Sequence, residues 1–118
     1  MSKPTSIVGL VIAILLIATA CVGGQIPEPP LAANGEPDPA LVAGRDVWAD
    51  NCVRCHGASG DGGRGPRLSE GRVVEKYPDE NVQVSVVVNG LNGRMPGFRN
   101  QLTDEEIANV VAYTRAAL

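Results

Sequence analysis

The sequence predicts an all-α domain over residues 39–118, framed by a first and a last helix and held together by something other than its own side chains. Three observations predict this. Asp38-Pro39 places a capping carboxylate directly before a proline, a strong helix start. Thr103 and Glu106 stand three residues apart before an apolar stripe, the signature of a capping box. Between them the domain is short of core material: Trp48, Tyr77, Phe98 and Tyr113 are its only aromatics. A domain of about 80 residues usually needs a staple to be stable.

The elements in chain order begin with an export segment, residues 1–20. A short polar start carries Lys3, Ile7 to Ala18 is unbroken apolar sequence, and small residues follow at Thr19, Ala20, Cys21, Gly23 and Gly24. No polar positions give this segment a solvent face, which argues against a buried core helix. Ile17-Ala18-Thr19-Ala20-Cys21 resembles the lipobox of bacterial lipoproteins, with Ala18 where Leu is commoner. Cleavage there makes Cys21 a lipidated N-terminus. The alternatives are a retained membrane helix and a soluble secreted form. Ile7 to Val22 falls just short of the roughly 17–25 residues that span a bilayer. All three deliver the domain outside the cytoplasm.

Residues 21–38 follow as a tether. Pro27, Pro29, Pro30, Pro37 and Pro39 lie among Glu, Asn, Gly and Ala. Proline removes backbone donors and favours an extended chain, so the expectation is a semi-rigid spacer reaching roughly 50 Å at about 3.1 Å per residue.

The first helix is expected from Pro39 to Asp50, with Leu41, Gly44, Val47, Trp48 and Cys52 at helical spacing. It leads into Cys52-Val53-Arg54-Cys55-His56, which reads as a c-type haem attachment site. Two thiols three positions apart reach the two vinyl groups of one porphyrin, and the following histidine offers its imidazole to the iron. Competing readings are weaker. A redox dithiol lacks a surrounding βαβ pattern. A zinc site lacks a second ligand pair. A structural disulfide in an exported domain leaves the adjoining histidine unexplained.

The second axial ligand emerges by elimination. His56 is the only histidine, and beyond the export segment Met95 is the only methionine. A thioether is a recognised partner of histidine on haem iron. Gly93-Arg94-Met95-Pro96-Gly97 predicts a rigid loop presenting the sulfur. The plainer role for Met95 is core filling, and Lys76 is the one other side chain to weigh as a ligand. The last helix begins at the Thr103 cap, where Asp104, Glu105 and Glu106 suit the positive end of the helix dipole. Ile107, Val110, Val111 and Thr114 make its inner face.

The stretch from Ala43 to Leu118 resembles the bacterial class I cytochrome c family. The resemblance rests on Gly44, Trp48, Cys52-x-x-Cys55-His56-Gly57, Gly60-Asp61-Gly62, Gly65-Pro66-Arg67-Leu68, Asn89-Gly90, Met95-Pro96-Gly97-Phe98 and Leu102-Thr103-Asp104-Glu105-Glu106-Ile107. It implies a cytochrome c fold, three to four helices wrapped around one covalent haem c, with the terminal helices crossing near Gly44. It implies that the Pro66 carbonyl accepts from the other ring N–H of His56, and that Leu68 packs on the porphyrin face. It also decides the middle of the chain. Val82 to Val88 is β-branched and reads as a strand by propensity; the resemblance makes it a helix ending at Asn89-Gly90.

A haem with both axial positions filled exchanges single electrons and does not readily bind substrate. The expected function is therefore an anchored electron carrier, not an enzyme, on the extracytoplasmic face of a bacterial membrane in respiratory or photosynthetic electron transfer. Its partners are membrane redox complexes. The alternative is a fixed subunit of an oxidase or quinol-oxidising assembly; a haem enzyme or gas sensor requires an open sixth site. Net charge is −3, and −4 without Lys3. Arg54, Arg64, Arg67, Arg94 and Arg99 lie in the haem-binding segments, suggesting a positive rim on an acidic body that steers an acidic partner.

Overall fold

The computed structural model describes residues 24–118. The expectations for the export segment and for Cys21 lie outside the described residues. Five helices follow in order: α1 (Pro39–Asn51), α2 (Val53–His56), α3 (Arg72–Lys76), α4 (Glu80–Asn89) and α5 (Asp104–Ala117). Three are long and two are single turns, in keeping with the all-α expectation. Among the described residues there is no strand, only isolated bridges at Leu31–Pro37 and Leu91–Met95. No described helix is long and apolar enough to cross a membrane.

Local chemistry sets the ends of the long helices. The Asp38 side chain accepts from the Ala40 N–H, with Pro39 in the first turn. At α5 the capping box is complete: Thr103 accepts from the Glu106 N–H, and Glu106 reaches back to the Thr103 N–H at 2.8 Å. The Val82–Val88 run is helical, against its propensity. A valine costs a helix no more than about 0.7 kcal/mol relative to alanine. A strand here has no partner edge among the described residues, and each buried backbone group left unpaired costs about 1–3 kcal/mol. Asp79 caps the start, and Gly90, at φ 77°, ends the helix.

The first and last helices make the principal packing of the fold. At Gly44 the two backbones meet so closely that an added Cβ would overlap the Asn109 carbonyl oxygen and lie 2.8 Å from the Tyr113 Cβ. Around this crossing Val47, Trp48, Val110 and Tyr113 form the core cluster, with Ile26, Leu68, Leu102 and Leu118 packed on it. Tyr113 is 0% exposed and Trp48 1%. Tyr113 is the one member of the inner face of α5 that the apolar pattern omitted.

The Pro-rich segment differs from a simple spacer. Ile26, Pro27 and Glu28 lie on the domain: the Pro27 carbonyl accepts from the Tyr113 hydroxyl at 2.7 Å and from Arg45 Nε at 3.1 Å, and Arg45 also reaches Ile26 and Glu28. The partners sit far along the chain, so composition alone did not show the contact.

Candidate haem site

Cys52 ends α1, its N–H bonded to the Trp48 carbonyl at 2.9 Å. Its own carbonyl accepts from Cys55 N–H at 3.1 Å and His56 N–H at 3.0 Å. That single turn puts Cys52, Cys55 and His56 at positions i, i+3 and i+4, which share one helix face. All three line one cavity of about 960 Å³. The two cysteines are unpaired and half-buried. Burial, with Cys55 adding to it, pushes the Cys52 thiol up to about 12. A thiol that stays protonated is a poor exchange nucleophile. Among the described residues no cluster of three or more His, Cys, Asp or Glu side chains is arranged to hold a metal ion.

His56 is 9% exposed, and its Nδ1 lies 2.9 Å from the Pro66 carbonyl. A carbonyl only accepts, so Nδ1 carries the proton and Nε2 keeps its lone pair. The loop that supplies Pro66 is tied tightly to α2. Gly65 N–H bonds the Cys55 carbonyl at 2.7 Å, and Gly62 N–H bonds the His56 carbonyl at 2.7 Å. Gly65 lies against the ring itself: an added Cβ would stand 2.7 Å from His56 Cε1. From the other side Trp48 packs at 6.0 Å between centroids, and its indole N–H bonds the Ala58 carbonyl at 3.0 Å.

Asp61 organises the next part of this loop. It accepts from Ser59, Ser69 and Arg67, and the serine hydrogen bonds, Ser59 first, hold its carboxyl below the usual range.

Met95 lines the same cavity from the opposite end of the sequence. Its loop is pinned to the end of α4. Leu91 N–H bonds the Met95 carbonyl at 3.0 Å, and the return bond is 3.1 Å. Phe98 N–H bonds the Val87 carbonyl at 2.9 Å. Gly90 makes the reversal possible, since a Cβ there would lie 2.7 Å from the Gly97 nitrogen. Leu68 also lines the cavity, with Val73, Val87 and Phe98. Lys76 contributes to the wall as well, although its ammonium stands 5.6 Å over the Tyr77 ring. Every site residue expected in the domain thus reaches one cavity.

Sequence reasoning missed a polar pair in that wall. Gln83 is buried, and its amide donates to the Thr114 hydroxyl at 2.8 Å. Thr114 donates onward to the Val111 carbonyl at 2.9 Å. Arg115 holds the Gln83 carbonyl oxygen and the Tyr77 carbonyl. The available signal was a lone amide in a valine run. The basic rim is also redrawn. Arg67 is paired with Asp61 and Glu70, and Arg99 is bonded to Asn89. Arg54, Arg64, Arg72, Lys76 and Arg94 line the cavity without a carboxylate in salt-bridge range among the described residues, and Asp50 lines it with them.

The residues fit a haem. The wall is largely apolar, two thiols sit one turn apart, and an imidazole with a fixed tautomer and a thioether face the same space.

Comparison with known proteins agrees. The model of the family described as cytochrome c oxidase, cbb3-type, subunit III matches residues 39–113. Cytochrome c-551 of Bacillus subtilis is 29% identical over 112 residues, 95% of this chain and 94% of that protein. The cbb3-type oxidase subunit CcoP of Cereibacter sphaeroides is 34% identical over 95 residues, 75% of this chain but only 32% of CcoP. The crystal structure of cytochrome c6 from the diatom Phaeodactylum tricornutum superposes with a TM-score of 0.56 at 38% identity, covering 64% of this chain and 91% of that one. Since the family match runs from the start of α1 into α5, the chain belongs to the cytochrome c family of the cbb3 subunit III type and is a mono-haem class I c-type cytochrome carrying one covalent haem c.

Proposed function

We propose that this protein is a one-electron carrier anchored on the extracytoplasmic side of a bacterial membrane. The observation that carries the reading is the convergence of Cys52, Cys55, His56 and Met95 on one cavity, with His56 Nδ1 committed to Pro66. Haem c bound there supplies a ferric/ferrous couple. Cys52 and Cys55 hold it through thioethers. His56 Nε2 and the Met95 sulfur would hold the iron, and Leu68 would lie against the macrocycle. The Pro66 carbonyl fixes the imidazole plane and increases its basicity. An iron held by both side chains would have no open position for a substrate, so the protein would move electrons and not act on a substrate.

The export segment and Cys21 support anchoring through a lipid, with a retained N-terminal helix as the other route. The partners are membrane redox complexes. The near-complete length match with cytochrome c-551 favours a separate carrier. The family description favours the second reading, a fixed subunit of an oxidase or quinol-oxidising complex.

Absorption spectra of the haem-loaded full chain test this. Low-spin spectra, a near-infrared sulfur-to-iron band and indifference to carbon monoxide are expected. Met95→Ala should lose the band and bind carbon monoxide. A wild-type protein that binds carbon monoxide readily overturns the carrier reading in favour of an enzyme or sensor. Mild detergent extraction separates the two carrier roles: a lone cytochrome indicates the shuttle, stable co-purification the subunit.

A further inference from the structure

Arg45 on α1 and Tyr113 on α5 close a clasp on the segment that precedes the domain. The Pro27 carbonyl accepts from the Tyr113 hydroxyl at 2.7 Å and from Arg45 Nε at 3.1 Å. Arg45 Nη2 also reaches the Ile26 carbonyl at 3.2 Å and the Glu28 carboxylate at 2.8 Å. Ile26 packs on the Trp48–Tyr113 cluster, and Pro29 is buried. Arg45 and Tyr113 both border the Gly44 crossing, so the clasp spans the junction of the first and last helices.

The Tyr113 ring is wholly buried, and burial raises its pKa, so the hydroxyl keeps its donor proton across the physiological range. Upstream, Gly24 sits against Ser59, where an added Cβ would meet the hydroxyl at 2.6 Å. Downstream, the chain doubles back through a turn. Ala32 N–H bonds the Glu36 carbonyl at 2.8 Å, and Gly35 N–H the Ala32 carbonyl at 2.9 Å, before the Asp38 cap.

We propose that residues 24–29 are a strap docked across the α1–α5 crossing, which fixes the point beside Ser59 where the chain leaves the domain and, on release, lets the haem domain stand away from its membrane anchor. The stand-off rests on the anchored reading given above. Docked, the strap holds Gly24, three positions from the expected lipid attachment at Cys21, against the domain, so the domain stays close to the bilayer. Released, residues 24–38 become a spacer of roughly 45 Å at about 3.1 Å per residue. The contacts holding the strap are a few hydrogen bonds, one exposed ion pair, one half-buried isoleucine and the buried Pro29. Release is therefore local and leaves the helices intact. One chain thus has a short leash for a neighbour in the membrane plane and a long one for a partner further out.

Two measurements on the haem-loaded full chain test this. In detergent micelles, ¹⁵N relaxation should show Gly24, Gln25, Ile26 and Glu28 as rigid as α1. Tyr113→Phe combined with Arg45→Gln should make them as mobile as a free chain end, with α5 and the haem spectrum unchanged. If the double variant does not fold, wild type and Arg45→Gln alone decide. Mobile wild-type residues overturn the docked strap. On a supported bilayer, neutron reflectometry should place the variant's protein layer up to roughly 45 Å further out than wild type. Equal heights overturn the stand-off. No protein layer for either form overturns the anchor instead, while the relaxation data still judge the strap.

Discussion

The Pro66 carbonyl oxygen stands 2.9 Å from His56 Nδ1, at the end of a loop that Gly65 and Gly62 bond back onto α2. The histidine is therefore oriented by backbone that belongs to its own turn. Its tautomer is a property of the local fold, fixed before any partner docks.

Gly65→Ala tests that arrangement. The new methyl would press on His56 Cε1 from 2.7 Å. Overpacking of this kind costs about 1–3 kcal/mol. A lower denaturation midpoint and a weakened sulfur-to-iron band are expected. An unchanged spectrum and midpoint would show that the ring yields freely.

Gly44→Ala is expected to cost more than its helix propensity returns. Alanine gains up to about 1 kcal/mol over glycine in a helix interior. Here the obstacle is the Asn109 backbone carbonyl, which cannot rotate away. The crossing must open, at or above the upper end of the about 1–3 kcal/mol seen for overpacking. Urea unfolding of the holoprotein measures it, and a stability equal to wild type would mean the helices part easily.

Asp61 gives a pH dependence with a definite sign. Hydrogen bonds from Ser59 and Ser69, then Arg67, lower its pKa in the folded protein. A depressed carboxylate contributes stability that is fully present above its unfolded value, about 3.9, and is lost as pH falls through the folded value. Wild type should therefore lose stability relative to Asp61→Asn below about pH 4. Parallel acid-unfolding curves for the two proteins would refute the assignment.

The unpaired basic residues at the cavity predict partner chemistry. Reversing Arg54 and Arg94 to Glu should slow electron transfer to an acidic partner at low salt, and the difference should shrink as salt screens it. Stopped-flow rates across ionic strength measure this. Rates of both proteins that ignore salt would remove electrostatic steering.

The sequence was most legible where a structural signal is complete within one turn. Asp38-Pro39 and Thr103 to Glu106 each carry their cap within four residues, and both helices start where that chemistry puts them. Cys52 to His56 is likewise a local device. The Val82–Val88 helix was not readable from propensity, because the deciding fact is the absence of a strand partner; only the family resemblance supplied it. The docking of Pro27 was least visible of all. Its partners are 18 and 86 residues away, and nothing in a run of prolines announces a distant tyrosine. Gln83 was hidden similarly, its meaning residing in Thr114 on another helix.

The crossing at Gly44 also orders events in time. The chain emerges N-terminus first, and α1 ends at Asn51 while α5 begins only at Asp104. Until that last helix has arrived, the inner face of α1 lacks Val110 and Tyr113, the two residues of α5 in its core cluster. Arrival of α5 is then the latch: it closes the crossing and commits the newly made domain to its finished form.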